Sequence, residues 1–318
     1  MATQAYHRFY AQVMQLYGNQ AFAEALELLT QEGEAFPEET PTILYLRSCM
    51  AARIGQPALA VQILEEALNR GYWYGEALMR GSPSWQSLQG MPAFEQVAEV
   101  CKRREAEVQT GPSALIEEPE GDHSADHPRP LFIALHGNGD NARSALACWR
   151  PIVAQGWVLA ALQSSQIGYS DAYGWFDEER SVREIAEQYT ALREQRAIDS
   201  GQIILAGFSM GGAVALRLAL QQTIPARGFI LLGPGGPPID TPEAWIPLIQ
   251  AAAARGLRGY ILLGEEDENI PKDAIRTLAA LLNTHGVPCQ VETIPDLGHG
   301  YPPDSGPCLS RALAFLQH

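Results

Sequence analysis

The most constraining stretch of this 318-residue chain is Gly207-Phe208-Ser209-Met210-Gly211, flanked by the apolar run Gln202–Ala206 and by an alanine- and leucine-rich helical stretch from Gly212 to Ala219. With 29 glycines a G-x-S-x-G string can arise by chance. The flanks are what restrict the fold, because a strand that turns at once into a helix must reverse direction at the serine. That turn crowds the residues two before and two after it, and glycine at 207 and 211 removes the Cβ atoms that would clash. Ser209 then projects from the end of the strand. The helix that opens behind it brings a free backbone N–H at Met210 and the positive end of a helix dipole, which suit a developing oxyanion.

A nucleophilic serine needs a base, and the base needs an acid to orient it. In folds built on this turn the acid and then the histidine follow the serine along the chain. Gly259–Leu263 reads as a short buried strand that empties into Gly264-Glu-Glu-Asp267-Glu. Asp267, three residues past the strand-ending glycine, is the acid. Glu265, Glu266 and Glu268 are the competing carboxylates, and solvated surface charge is the alternative for all four. A further strand, Gln290–Ile294, runs into Pro295-Asp-Leu-Gly-His299-Gly300. His299, between two glycines in a loop after a strand, has little packing role and is assigned as the general base. His285 ends a predicted helix and reads as a surface residue.

A second oxyanion donor belongs to the loop after an earlier strand, and Pro130-Leu-Phe-Ile-Ala-Leu-His136-Gly-Asn-Gly-Asp140 supplies it. The backbone N–H of Asn138 is the predicted donor, with Gly137 and Gly139 leaving the backbone free to approach a substrate. His136 has the residue type of a catalytic base but precedes the serine. It is read as a ring that braces the loop.

Four segments carry a resemblance to a known family: Leu135-His-Gly-Asn-Gly-Asp140, Gly174-Trp-Phe-Asp177, Gly207-Phe-Ser-Met-Gly-Gly212, and Asp267 with Gly298-His299-Gly300. Together they resemble the phospholipase/carboxylesterase branch of the α/β-hydrolases, which includes acyl-protein thioesterase-like serine esterases. The resemblance spans about residues 129 to 318. It implies a serine hydrolase that cleaves carboxylic esters or thioesters through an acyl-serine, with Ser209, Asp267 and His299 as its triad, no metal and no cofactor. Trp175 and Tyr301 are the residues assigned to substrate binding. The stretch between Gly233 and Gly259, with Pro234-Gly-Gly-Pro-Pro238 and Trp245, departs from the family pattern and leaves the acyl pocket unassigned.

Two other functions are weighed against this one. A hydrolase fold turned scaffold or binding protein would be expected to have lost a triad member, and here each has a candidate. A peptidase or a dienelactone-type hydrolase is the rival within enzymes, and the latter commonly carries cysteine where this chain has Ser209.

After residue 129 apolar strands alternate with amphipathic helices, which predicts an α/β fold with a mostly parallel, doubly covered sheet. Before it the chain is helical. Phe22-x-x-Ala25-x-x-x-Leu29 returns loosely as Leu59-Ala60-x-x-x-Leu64-x-x-Ala67, and this spacing is similar to tetratricopeptide repeats. A generic helical bundle would satisfy the same pattern. The predicted organisation is therefore a small all-α, repeat-like domain at 1–110, a linker or first strand at 111–128, and a catalytic α/β-hydrolase domain at 129–318. The repeats offer a surface for a protein partner. In the linker, Asp122, His123, Asp126 and His127 invite a metal reading, but no helical pattern puts them on one face and loop solvation is preferred.

Charge excludes one class of partner. To residue 110 there are 13 acids against 8 bases, and 24 against 14 beyond it, so both halves repel nucleic acid. The first residues lack an apolar core of the kind a secretory signal carries, and no apolar run is long enough to span a bilayer. Five scattered cysteines without a C-x-x-C pair fit reduced thiols. A cytoplasmic chain acting on a small ester is the expectation.

Overall fold

The computed structural model describes residues 4–108, 113–121, 126–237 and 239–317. Of the linker residues singled out above, Asp122 and His123 lie outside these ranges. The chain divides into two compact units, one of residues 1–110 with Ile167–Ala172, the other of residues 111–166 with 173–318.

The first unit holds helices α1 (Gln4–Gly18), α2 (Phe22–Glu32), α3 (Thr40–Arg53), α4 (Pro57–Asn69), α5 (Glu76–Gly81) and α6 (Pro92–Glu107). Pro41, Pro57 and Pro92 stand in the first turns of α3, α4 and α6, where a missing N–H costs nothing. Of the residues in the sequence pattern, Ala25 and Leu29 on α2 and Ala60, Leu64 and Ala67 on α4 are buried, while Phe22 and Leu59 are half-buried. Beside them Trp85 is fully buried, edge-on to Tyr45, Tyr74 and Phe94. Its indole N–H donates to Ser48 Oγ at 3.0 Å, and that hydroxyl donates in turn to the carbonyl of Ala60 at 3.1 Å, so no polar atom of this core contact is left unpaired.

A short piece from later in the chain completes this unit. Gly75 N–H donates to the carbonyl of Gly168 at 2.8 Å, Ser170 N–H to that of Trp73 at 2.9 Å, and the hydroxyls of Thr42 and Tyr169 lie 2.8 Å apart. Sequence reading placed residues 167–172 with the catalytic half. Nothing local marks them, because their partners lie roughly a hundred positions upstream.

The second unit is a seven-stranded sheet covered by helices. In chain order its elements are β1 (Ser113–Glu117), β2 (Arg129–Leu135), α7 (Ala142–Trp149), β3 (Val158–Gln163), then the short pair β4 (Gln166–Tyr169) and β5 (Ala172–Gly174), of which residues 167–172 belong to the first unit, and α8 (Glu178–Gln195), β6 (Ile198–Phe208), α9 (Met210–Gln221), β7 (Gly228–Leu232), α10 (Ile246–Ala252), β8 (Arg258–Gly264), α11 (Lys272–Thr284), β9 (Cys289–Ile294) and α12 (Gly306–Gln317). The sheet order is β1-β3-β2-β6-β7-β8-β9. The neighbours run parallel except β1, which lies antiparallel on β3 at one edge.

Burial on both faces explains why the strands read as continuous apolar runs. Along β2, Leu131, Ile133 and Leu135 join one core layer, while Phe132 and Ala134 join the other. Register keeps the strand ends level: Leu135 is opposite Gly207, Phe208 opposite Leu232, and Gly264 opposite Ile294. The loops that leave these ends therefore meet over one edge of the sheet. Helices α7 and α10 were not foreseen, the second falling in the stretch the sequence pattern left unassigned.

Candidate active site

Ser209 sits between β6 and α9 at φ 51° and ψ −122°, a conformation that a non-glycine residue adopts at a cost on the order of 1–3 kcal/mol. Four backbone hydrogen bonds hold it there. Its N–H donates to the carbonyl of Leu232 at 3.0 Å, and its own carbonyl accepts from Gly212 at 2.9 Å, Gly235 at 3.0 Å and Ala213 at 3.3 Å. The glycine requirement is steric. A Cβ on residue 207 would lie 2.3 Å from the carbonyl oxygen of Gly211, and one on residue 211 would lie 2.2 Å from that of His136.

The Ser209 hydroxyl lies 2.9 Å from His299 Nε2, and His299 Nδ1 lies 2.8 Å from Asp267 Oδ2. Asp267 is 2% exposed, whereas Glu265, Glu266 and Glu268 are exposed, so burial separates the four carboxylates that the sequence placed side by side. Its other oxygen accepts the backbone N–H groups of Asn269 at 2.9 Å and Ile270 at 3.2 Å. With a carboxylate on Nδ1, that nitrogen is assigned the proton, leaving the Nε2 lone pair for the serine hydroxyl. Gly233, at φ +45°, passes close by: a Cβ there would lie 3.2 Å from Asp267 Oδ2 and 3.4 Å from His299 Nδ1.

The loop after β2 faces the same point. Its Gly139 and Asp140 N–H groups both donate to the carbonyl of Tyr173, at 2.8 and 3.3 Å, and Tyr173 N–H returns a bond to Asp140 at 2.8 Å. Among the described residues the N–H groups of Asn138 and Met210 find no protein acceptor. These are the two donors singled out in the sequence. His136 is fully buried behind the loop. Its Nδ1–H donates to the carbonyl of Gly137 at 2.8 Å, and its Nε2 accepts the N–H of Ser164 at 3.3 Å. Burial pushes the imidazole below its ordinary pKa, which keeps the ring neutral and able to play both parts.

Trp175, read in the sequence as a substrate-binding residue, lies in the interior. Its side chain is 3% exposed, stacked on the His136 ring with centroids 4.9 Å apart, and its indole N–H donates to the carbonyl of His136 at 2.9 Å. It braces the loop from inside. The next residue, Phe176, is 55% exposed, and its ring lies near the Asn138 side chain, since a Cβ on Gly174 would meet both within 2.5 Å. Both residues follow the end of β5, and the two consecutive rings meet opposite environments. Tyr301 is half-buried, its ring 4.5 Å from that of Phe208 and its hydroxyl donating to Asp140 Oδ2 at 2.9 Å.

Sequence reading also missed the loop after β7. A Cβ on Gly235 would lie 2.5 Å from Ile270 Cδ1 and 3.7 Å from the Ser209 hydroxyl, and one on Gly212 would lie 3.1 Å from Pro234 Cβ. The available signal was its position: Pro234-Gly-Gly-Pro237 directly follows a buried strand at the end where the other loops gather.

Comparison with known proteins agrees with this architecture. Residues 132–265 match the model of the alpha/beta hydrolase family, and residues 5–109 match that of the A/B hydrolase-like N-terminal domain. The chain thus joins a region similar to alpha/beta hydrolase domains to a helical region similar to the A/B hydrolase-like N-terminal domain, and these matches together with its relatives support an esterase-like hydrolase. Over 222 residues it is 26% identical to acyl-protein thioesterase 1 of Gibberella zeae, covering 61% of this chain and 92% of that one. Over 179 residues it is 25% identical to pyrrolizixenacetamide deacetylase of Xenorhabdus hominickii, covering 52% and 65%. Among solved structures, an uncharacterized protein from Bacillus cereus ATCC 10987 is similar over 98% of both chains at 25% identity and a TM-score of 0.56. TT1662 from Thermus thermophilus shares the fold over 66% of this chain and 94% of its own, at 20% identity and a TM-score of 0.50.

Proposed function

We propose that this protein hydrolyses carboxylic esters, thioesters among them, through an acyl-enzyme on Ser209. His299 Nε2 takes the hydroxyl proton as Ser209 Oγ bonds to the acyl carbon, and the carbonyl electron pair moves onto oxygen. The N–H groups of Asn138 and Met210 receive that oxyanion. Asp267 holds the imidazole in the required tautomer and stabilises the imidazolium. As the tetrahedral intermediate collapses, the alcohol or thiol leaves with the proton from His299. Water then gives a proton to the same nitrogen and attacks the acyl-serine, and as the acyl carbon–Oγ bond breaks to release the acid His299 returns that proton to Ser209 Oγ.

The observation that carries this reading is the unbroken contact from the Ser209 hydroxyl through both nitrogens of His299 to a buried Asp267. Two backbone donors beside the serine, the Asn138 N–H on the loop after β2 and the Met210 N–H at the start of α9, have no protein acceptor among the described residues and give the developing charge a place to go. Similarity to an acyl-protein thioesterase supports an acyl group as the part transferred. Labelling with a fluorophosphonate and turnover of p-nitrophenyl acetate test the reading together. Wild-type protein is expected to label and turn over, and Ser209→Ala to do neither. Equal labelling of the two proteins would sink it.

A further inference from the structure

The proposed base and the proposed oxyanion donor sit on loops that the sheet does not tie to one another. Asn138 follows β2 and His299 follows β9, and three strands, β6, β7 and β8, lie between these two in the sheet. At about 4.8 Å per strand the two loops start nearly 20 Å apart, so no shared ladder fixes their separation. They meet only by leaning over the end of β6.

One side-chain hydrogen bond joins them directly. Tyr301, two residues past His299, donates its hydroxyl to Oδ2 of Asp140, two residues past Asn138, at 2.9 Å. Both ends are anchored. Asp140 is paired through its backbone to Tyr173, and its Oδ1 accepts the N–H of Asn141 at 2.8 Å. Asn141 in turn caps α7, its side-chain oxygen accepting from Arg143 and Ser144. The Tyr301 ring rests on Phe208, whose ring also lies 4.8 Å from that of His299. Burial and the neighbouring carboxylate raise the Tyr301 hydroxyl well above its ordinary pKa, so it remains a donor wherever the enzyme works.

We infer that Tyr301 and Asp140 are a positioning pair, whose hydrogen bond sets the imidazole of His299 and the N–H of Asn138 at the separation that one tetrahedral intermediate requires. This rests on the acyl-serine reading above. Tyr301 then acts through its neighbours and does not itself grip substrate, so its loss should appear in the chemical step and leave ground-state binding nearly untouched.

Tyr301→Phe keeps the ring on Phe208 and deletes only the bond, and Asp140→Asn keeps the side-chain shape while weakening the acceptor. Each is made in the full chain, alone and together. Steady-state hydrolysis of p-nitrophenyl acetate is measured beside inhibition by a boronic acid, whose tetrahedral adduct on serine needs the same alignment. For Tyr301→Phe, kcat should fall on the order of 10- to 100-fold, the scale of a small misplacement, with KM within about threefold. The boronic acid should weaken in step with kcat/KM, and the double variant should be no worse than the poorer single. A Tyr301→Phe enzyme with wild-type kcat, a loss confined to KM, or two losses that multiply in the double variant would each overturn the pairing. Ser209→Ala separates this from the underlying reading. If Ser209→Ala is inactive while Tyr301→Phe turns over normally, only the pair is wrong; if Ser209→Ala stays active, the acyl-serine reading has failed.

Discussion

The N–H of Gly235 donates to the carbonyl oxygen of Ser209 at 3.0 Å, making the loop after β7 part of the turn that carries the serine. A Cβ at 235 would stand 3.7 Å from the Ser209 hydroxyl and 2.5 Å from Ile270 Cδ1. The second contact is with the end of a flexible side chain that can move aside; the first narrows the space in front of the nucleophile. Gly235→Ala should therefore fold and lose turnover on the order of 10- to 100-fold, because reacting atoms tolerate little displacement. Circular dichroism with p-nitrophenyl acetate kinetics checks this, and an unfolded variant or unchanged kinetics would refute it.

Ser209→Ala is expected to keep the fold and lower ester hydrolysis by roughly 10⁴- to 10⁶-fold, as for other triad serines. The change also relieves none of the backbone strain, since alanine at φ 51° is no easier than serine. Activity above a few per cent of wild type in initial-rate assays would show that another group performs the attack.

Asp267→Asn should cost on the order of 10⁴-fold in kcat, because an amide facing Nδ1 favours the wrong imidazole tautomer. Glu266→Gln and Glu268→Gln, at exposed positions outside the contact chain, should stay near wild type. Steady-state kinetics of the three variants side by side decides between them, and a costly glutamate would shift the acid to that position.

His136 predicts a pH dependence of stability. Its folded pKa lies below the ordinary value because the ring is desolvated, so on acidification the unfolded chain takes the proton first. Stability linked to this ring is complete above the unfolded pKa of about 6.5 and is lost as pH falls through that value towards the folded one. Denaturant titrations between pH 5 and 8 should show a steeper fall for wild type than for His136→Gln, by up to about 1.4 kcal/mol per pH unit. Parallel curves would mean that the ring takes up a proton in the folded protein as readily as in the unfolded chain.

What the sequence determined by itself is local. The turn at Ser209 was legible because its sterics involve residues two positions apart, and the apolar strands because a sheet buried on both faces leaves no polar alternation. Loops at successive strand ends followed from the alternation of strand and helix. Tertiary structure decided everything that depends on distant partners. It buried Asp267 among exposed glutamates, turned Trp175 inward and Phe176 outward, brought Gly235 onto the serine turn, and gave residues 167–172 to the helical unit. Neighbouring residues fix backbone sterics, but which side of a chain is buried, and against what, is set by segments that meet only once the molecule has folded.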